Sequence, residues 1–426
     1  MTAVPAPQFG TKNKKSAKPK QALVVLHDAC EKIFARLLRL LFAVSSFSLS
    51  VLLISFLPKT AIAASNCEKT STEFRSWPAW ETFKKNFINE GGRVVDASTP
   101  RFHSSSEGQA YGLFFALVAN DKKSFDFLLR WTEANLAGGD LTARLPAWYW
   151  GKKDDGSWGV IDQNSASDAD LWLAYTLGQA GTLWNDKRYT ALSTLIGKRI
   201  LREETADLPK LGLSLLSAPS GFTPTTTSWK LNPSYTPIQV MRWFANNGQD
   251  ERWEKLLHSS AQIIIGASPK GYSPDWIIYD SAKGYVIDSQ GQEKGNGGYN
   301  AIRVYLWAGM LPEKEPYKKA LLTALKPMAS LVENKAFPPE FINVSTGEIN
   351  KPGSTGFSAA MLPFLKTTGY KKAWEEQNLR ISALLIKPDA YYDQVLAMYA
   401  LGWQEQRYQF HANGNLMPQW KSSCGK

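Results

Sequence analysis

Histidine and cysteine are almost missing from this chain of 426 residues. There are four histidines (His27, His103, His258, His411) and three cysteines (Cys30, Cys67, Cys424). So small a supply excludes a Cys/His zinc site and any multi-histidine metal centre, and no metal or cofactor is expected. The Gly-x-x-x-x-Gly-Lys-Ser/Thr phosphate loop is also absent, which removes the P-loop enzymes. A broad basic face is lacking too, although the formal net charge is +11. Residues 1–63 hold nine of the 49 Lys/Arg and only two of the 38 Asp/Glu, so the remaining 363 residues carry 40 basic against 36 acidic side chains. That mild excess is not a nucleic-acid footprint, and no nucleic-acid partner is expected.

What the chain does hold is apolar and aromatic. Hydrophobic residues make up 44% and charged residues 20%, a composition that supports a packed core. The length fits two or three ordinary domains or one large fold. Sixteen Trp and sixteen Tyr supply flat, partly polar surfaces in unusual number.

The first 63 residues read as a leader. A basic stretch over 11–39 precedes an uncharged apolar run from Leu40 to Leu57, which Pro58 breaks and Ala61-Ile62-Ala63 follows. Basic start, apolar middle and small-residue exit describe a secretory signal peptide, with a periplasmic or secreted product and no membrane anchor after cleavage. An uncleaved anchor is the other reading, since 18 residues just span a bilayer. A mature chain over 64–426 keeps Cys67 and Cys424, one at each end. In an oxidising compartment they form a disulfide or remain two surface thiols.

The mature chain reads as helical. Apolar residues recur at helical spacing over 107–120 and 168–184, and similar segments lie near 75–90, 122–137, 188–204, 236–247, 250–265, 299–310, 315–333, 357–368, 371–385 and 390–404. Strand patterns are sparse; WIIYD (276–280) and YVID (285–288) predict one small hairpin. Long loops rich in Gly, Pro, Trp and Asp fall at 138–164, 209–235, 268–298 and 335–356, and loops of that length are usually functional. The fold class is therefore all-α: about twelve helices in one domain, pairing as six hairpins in a double-layered barrel. Periodicity gives the helices and leaves closure of the ring open.

With histidine scarce, carboxylates are the available acid/base groups. Glu107 opens an apolar helix within Ser-Ser-Ser-Glu-Gly-Gln-Ala-Tyr-Gly, where small neighbours leave access and desolvation suits a proton donor. A glutamate there is equally an ordinary helix-start acid. Asp168 and Asp170 enter a second apolar helix, as sugar or water ligands or as N-terminal acids. The aromatics indicate the substrate class. Trp148, Tyr149, Trp150 and Trp158 crowd one polar loop, Trp229 and Tyr235 the next, Trp276 and Tyr279 a third. Sugar rings present apolar faces that stack on such planes while Asp, Asn and Arg bond their hydroxyls.

These residues resemble a known family. Ala166-Ser-Asp-Ala-Asp-Leu-Trp-Leu-Ala-Tyr175, continuing to Ala180 and Trp184, is similar to the signature of glycoside hydrolase family 8, and Ser-Glu-Gly-Gln-x-Tyr-Gly at 106–112 matches as specifically. The likeness continues through 145–170, NPSY (232–235), SPKGYSPDW (268–276), AIRVYLWAGM (301–310) and GFSAAMLPFL (356–365). It is greatest to the periplasmic members encoded with bacterial cellulose synthase, and it covers about 75–420. The resemblance implies an (α/α)6 barrel and an inverting endo-β-1,4-glucanase acting on cellulose, with the cellulose synthase export complex as a partner. By position, Glu107 is the implied general acid. Asp168 is the implied signature aspartate, holding the distorted sugar at the point of cleavage. Trp148, Trp158 and Trp229 are implied stacking surfaces, and Tyr299, Asn300, Arg303 and Tyr392 line the cleavage point.

One departure matters. Cellulase-type members place the base aspartate directly after the tyrosine of Tyr-Asp-Ala-x-Arg, whereas this chain reads Tyr299-Asn300-Ala301-Ile302-Arg303. An amide cannot take the proton of the attacking water. Three readings follow: Glu293, or Asp288 on the same loop, supplies the base, as in the branch that includes chitosan-cleaving members; Asp168 supplies it; or the protein binds glucan and cleaves it poorly. Glu293 is equally a solvated loop charge beside Lys294. A chitosan-cleaving enzyme and a glucan-binding chaperone are the rival functions.

Overall fold

The computed structural model describes Ser76–Ser422 apart from Gln249. The leader over 1–63, its cleavage site and the Cys67–Cys424 pairing lie outside the described residues. Among the described residues no helix is long and apolar enough to cross a membrane.

Helices dominate, in the order α1 (Pro78–Phe87), α2 (Ser106–Val118), α3 (Lys122–Leu136), α4 (Ser167–Leu183), α5 (Lys187–Glu203), α6 (Ile238–Asn247), α7 (Arg252–Gly266), α8 (Ala301–Gly309), α9 (Lys318–Lys335), α10 (Thr355–Thr368), α11 (Lys371–Leu384), α12 (Tyr391–Gln404) and the short α13 (Gln419–Ser422). The first twelve coincide with the segments that periodicity predicts. They alternate between two layers. Every residue of α8 is buried, and every residue of α2 except Glu107. In α4 only Thr182 and Leu183 escape burial. Such helices are apolar on all sides and must lie inside. The odd-numbered helices instead bury one stripe. In α5 it is Tyr189, Ser193, Ile196, Gly197, Ile200 and Leu201, at helical spacing, and α11 buries only Ala373 and Gln377. α2, α4, α8 and, but for its last three residues, α10 therefore line the interior, and α5 and α11 cover them.

Closure of the ring, which periodicity left open, is visible in aromatic contacts. Tyr399 of α12 meets Tyr111, Phe114 and Phe115 of α2 with centroids 4.8–5.1 Å apart. It also meets Trp172 of α4 at 5.3 Å and Trp307 of α8 at 5.0 Å. The last inner helix thus packs on the first, and the barrel axis is filled by stacked, tilted and edge-to-face rings rather than left as a pore.

Short strands decorate the loops: β1 (Ser104–Ser105), β2 (Tyr149–Lys152), β3 (Trp158–Asp162), β4 (Thr205–Leu208), β5 (Gly212–Leu215), β6 (Ser228–Leu231), β7 (Ile277–Asp280), β8 (Gly284–Ile287), β9 (Asn296–Gly297), β10 (Ile342–Asn343), β11 (Tyr408–Phe410) and β12 (Leu416–Pro418). The predicted hairpin is present as β7–β8, with β6 joined antiparallel to β7. The loop over 138–164 is not irregular, as composition suggested. It supplies β2 and β3, which pair antiparallel with β1 in the order β1-β2-β3, with Ser105 opposite Tyr149. This ladder fixes the aromatic loop against the start of α2. Backbone bonds tighten it: Ser106 N donates to Trp148 O at 3.1 Å, and Trp148 N to Asn164 O at 2.7 Å.

Candidate active site

The site forms where the N-termini of the inner helices converge. Glu107 and Asp168 are each the second residue of their helix, Arg303 is the third of α8, and Tyr392 the second of α12. The starts are held by local chemistry. Ser105 Oγ caps α2 by accepting from Gly108 N at 3.0 Å. The start of α8 is capped from a distance. Asp275 Oδ1 accepts from the backbone N–H groups of Gly298, Asn300 and Ala301 at 2.8, 2.9 and 2.7 Å. Burial raises the Asp275 pKa and those three donors oppose the rise.

Arg303, 3% exposed, ties the converging residues together. Its Nη1 donates to Glu107 Oε2, to Tyr111 Oη at 2.9 Å and to Asp168 Oδ2 at 3.0 Å. Its Nη2 donates to Asn300 Oδ1 at 2.7 Å. A guanidinium only donates, so the amide oxygen of Asn300 must face it and the Nδ2 group points elsewhere. Tyr235 lies beside the guanidinium, with 5.8 Å from Cζ to the ring centroid. Tyr392 Oη donates to the carbonyl of Tyr299. Tyr299 is 43% exposed and its hydroxyl bonds Glu340 Oε1 at 3.1 Å.

The two carboxylates differ in environment. Glu107 is the partly exposed residue of an otherwise buried helix, while Asp168 is 2% exposed. Burial first, and then the charge of Glu107, push the Asp168 pKa up to about 7 against the opposing pull of Arg303. The two carboxyl groups lie within hydrogen-bonding reach of each other. Their oxygens share Nη1 as donor, so they lie within about 6 Å, twice a hydrogen-bond length. An inverting pair stands about 6.5–9.5 Å apart to admit a water. Asp168 is therefore too close to Glu107 to act as its partner base.

Trp148 and Trp158 are 38% and 49% exposed. Trp148 stacks on Tyr149 (4.7 Å, 20°) and Trp158 on Trp150 (5.5 Å, 26°). The Arg93 guanidinium lies 4.3 Å from the Trp150 ring centroid and 5.0 Å from that of Trp158, which stiffens this platform. Trp229 is placed differently. It shares a face of β6 with Leu231 and leans on a second apolar cluster of Leu208, Leu231, Ile263, Ile277 and Tyr279. Trp276 instead makes the aromatic link to the site. It meets Tyr235 at 5.8 Å and stacks on Phe222 at 5.3 Å. Glu293 lies on the turn before α8; its backbone carbonyl accepts from Asn296 N at 2.8 Å, and its charge acts on Asp275.

The model of the family described as Glycosyl hydrolases family 8 matches residues 52–406, which include all four helices that build the site. The chain belongs to glycosyl hydrolase family 8. The endoglucanase of Escherichia coli (strain K12) is 44% identical over 349 residues, covering 82% of this chain and 93% of that protein. The endoglucanase of Xanthomonas axonopodis pv. citri (strain 306) is 40% identical over 371 residues, covering 86% and 94%. The crystal structure of endo-1,4-D-glucanase from Vibrio fischeri ES114 superposes with a TM-score of 0.75 at 46% identity, over 81% of this chain and 100% of that one. Membership makes the protein a glycoside hydrolase with the (α/α)6 barrel that its inner and outer helices describe.

Two features of this family 8 site escaped the sequence. Asp275 caps a helix that begins 26 residues downstream, and no local pattern announces such a cap. Asp170 turns out to be fully buried and interacts with Glu204. It is not a sugar ligand.

Proposed function

We propose that the protein is an endo-β-1,4-glucanase that cleaves internal bonds of a cellulose chain, with Glu107 as the proton donor. The observation that carries this reading is the position of Glu107: the single unburied residue of α2, bonded to Arg303 beside Asp168, and next to the strand ladder that carries Trp148 and Trp158. Indole faces hold pyranose rings by stacking, and the charged pair bonds the sugar hydroxyls. Glu107 protonates the leaving glycosidic oxygen. Arg303 and Asp168 orient the ring at the point of cleavage.

In this reading Asn300 donates its Nδ2 hydrogens to the sugar or the water and takes no proton. The base is a carboxylate across the cleft, and Glu293, on the loop leading into α8, is the one we assign. Cleavage then proceeds with inversion. The leader over 1–63 directs the chain to the periplasm or outside the cell. There it trims β-1,4-glucan in company with the cellulose synthase export complex.

Measurement of reducing ends released from carboxymethylcellulose tests the enzyme reading. Glu107→Gln should lower kcat about 10²–10⁴-fold with its circular dichroism unchanged. Wild-type protein that releases no more sugar than this variant, yet binds cellohexaose, is a glucan-binding protein instead. Faster cleavage of glucosamine hexamer than of cellohexaose would select the chitosan-cleaving alternative.

A further inference from the structure

A second acidic pair lies behind Asp168, outside the reacting centre. Asp170, the fourth residue of α4, and Glu204, the C-cap residue that follows α5, are both 0% exposed. Their carboxyl groups lie within hydrogen-bonding reach of each other. Of their four oxygens, Glu204 Oε1 alone accepts from a neighbouring side chain, Ser165 Oγ at 2.5 Å; both oxygens of Asp170 and Glu204 Oε2 find no donor. Among the described residues no Lys or Arg forms an ion pair with either acid. Two bare carboxylates in contact, buried and without a cation, are not sustainable. The missing donor is a proton carried by one of the acids itself.

The pair also sits at a junction. Leu216 N donates to the carbonyl of Glu204 at 2.8 Å, and Ser167 N to that of Ser217 at 3.1 Å. The entry of α4, the end of α5 and the chain leaving β5 are thereby pinned together, and Asp168 is the next residue after Ser167.

We propose that Asp170 and Glu204 form a proton-sharing carboxyl pair that positions Asp168 for the hydrolysis. This role rests on the glucanase reading; the shared proton does not. One acid donates to the other, and no net transfer occurs. The charged and titratable neighbours that face the pair are Asp168 on α4, Glu203 on α5 and the Tyr235 hydroxyl. The two carboxylates disfavour ionisation of the pair, and burial raises both its pKa values.

Unfolding by urea at a series of pH values tests the proton without any substrate. The wild type should lose stability as pH rises from about 4 to about 8, because the unfolded chain releases a proton that the folded pair retains. Glu204→Gln keeps a donor that does not titrate, so its profile should be flatter. Coincident pH profiles for the two proteins would overturn the shared proton. For positioning, Asp170→Ala should lower kcat at least about tenfold with KM nearly unchanged, and Asp170→Asn should restore it. Full kcat in Asp170→Ala would overturn that role. Should Asp170→Ala fail to fold, Glu204→Ala takes its place, and full kcat in that variant would overturn the role instead. A wild type with no glucanase activity would sink the functional reading and leave the unfolding experiment intact.

Discussion

A single guanidinium sets the chemistry available to the side chains around it. Arg303 presents a planar fork to Asn300 on one nitrogen and to Tyr111, Glu107 and Asp168 on the other. Lysine offers no such fork. Because Asn300 already gives its oxygen to Arg303, an aspartate at 300 would place a carboxylate where only an amide now stands. Glu293→Gln should therefore cost about 10²-fold or more in kcat, and adding Asn300→Asp should recover part of the loss. Unchanged turnover in Glu293→Gln removes that residue from the reaction. Asp168 makes a second prediction. Its folded pKa is raised to about 7, above the unfolded value of about 3.9, so its contribution to stability is complete below about pH 4 and is lost as pH rises toward 7. The limiting slope is about 1.4 kcal/mol per pH unit for one proton. Asp168→Asn should flatten urea-derived stability over that window; an unaltered slope would show that Asp168 is ionised in the resting protein.

At the level of elements, α2 shows how closely helix packing and site are joined. Small residues around Glu107 read in the sequence as room for substrate. In the structure they make room for α12: a Cβ on Gly108 would stand 2.6 Å from Tyr391 Oη. Gly108→Ala should destabilise the protein by about 1–3 kcal/mol through overpacking. Tyr391→Phe deletes the atom in the way, and that hydroxyl is buried without a hydrogen-bond partner, so the double variant should regain most of the loss in thermal melts. The same contrast marks what was legible beforehand. Twelve helices were readable because their apolar residues recur every three to four positions, and Glu107, Asp168 and Arg303 were readable through motifs beside those helices. The β1-β2-β3 ladder was not, because a two-residue strand has no period and its partner begins 44 residues later. Asp275, and the placement of Trp229, escaped for a related reason. One is defined by a cap on a distant helix, the other by which face of β6 it occupies, and neither is a local property.

Across the whole molecule, the convergence of four helix starts depends on the ring being closed. The rings of Tyr111, Phe114, Trp172, Trp307 and Tyr399 meet at the barrel axis and come from α2, α4, α8 and α12, the same helices that carry Glu107, Asp168, Arg303 and Tyr392. Tyr399 touches all three other helices, so it is the side chain whose removal should loosen the barrel most. Tyr399→Ala leaves a cavity with neighbours on every side and should cost about 3–5 kcal/mol, as large aromatic truncations do. Tyr399→Phe keeps the ring and loses a hydroxyl that is buried without a hydrogen-bond partner, so it should cost little. Activity tells whether axis and site are coupled. If the aromatic axis holds the helix starts in register, kcat of Tyr399→Ala should fall well below that of Tyr399→Phe at a temperature where both are fully folded, because displacements near 1 Å already cost about 10²-fold. Equal kcat in the two variants would mean that the loops and the Arg303 network keep the site together without the core beneath them.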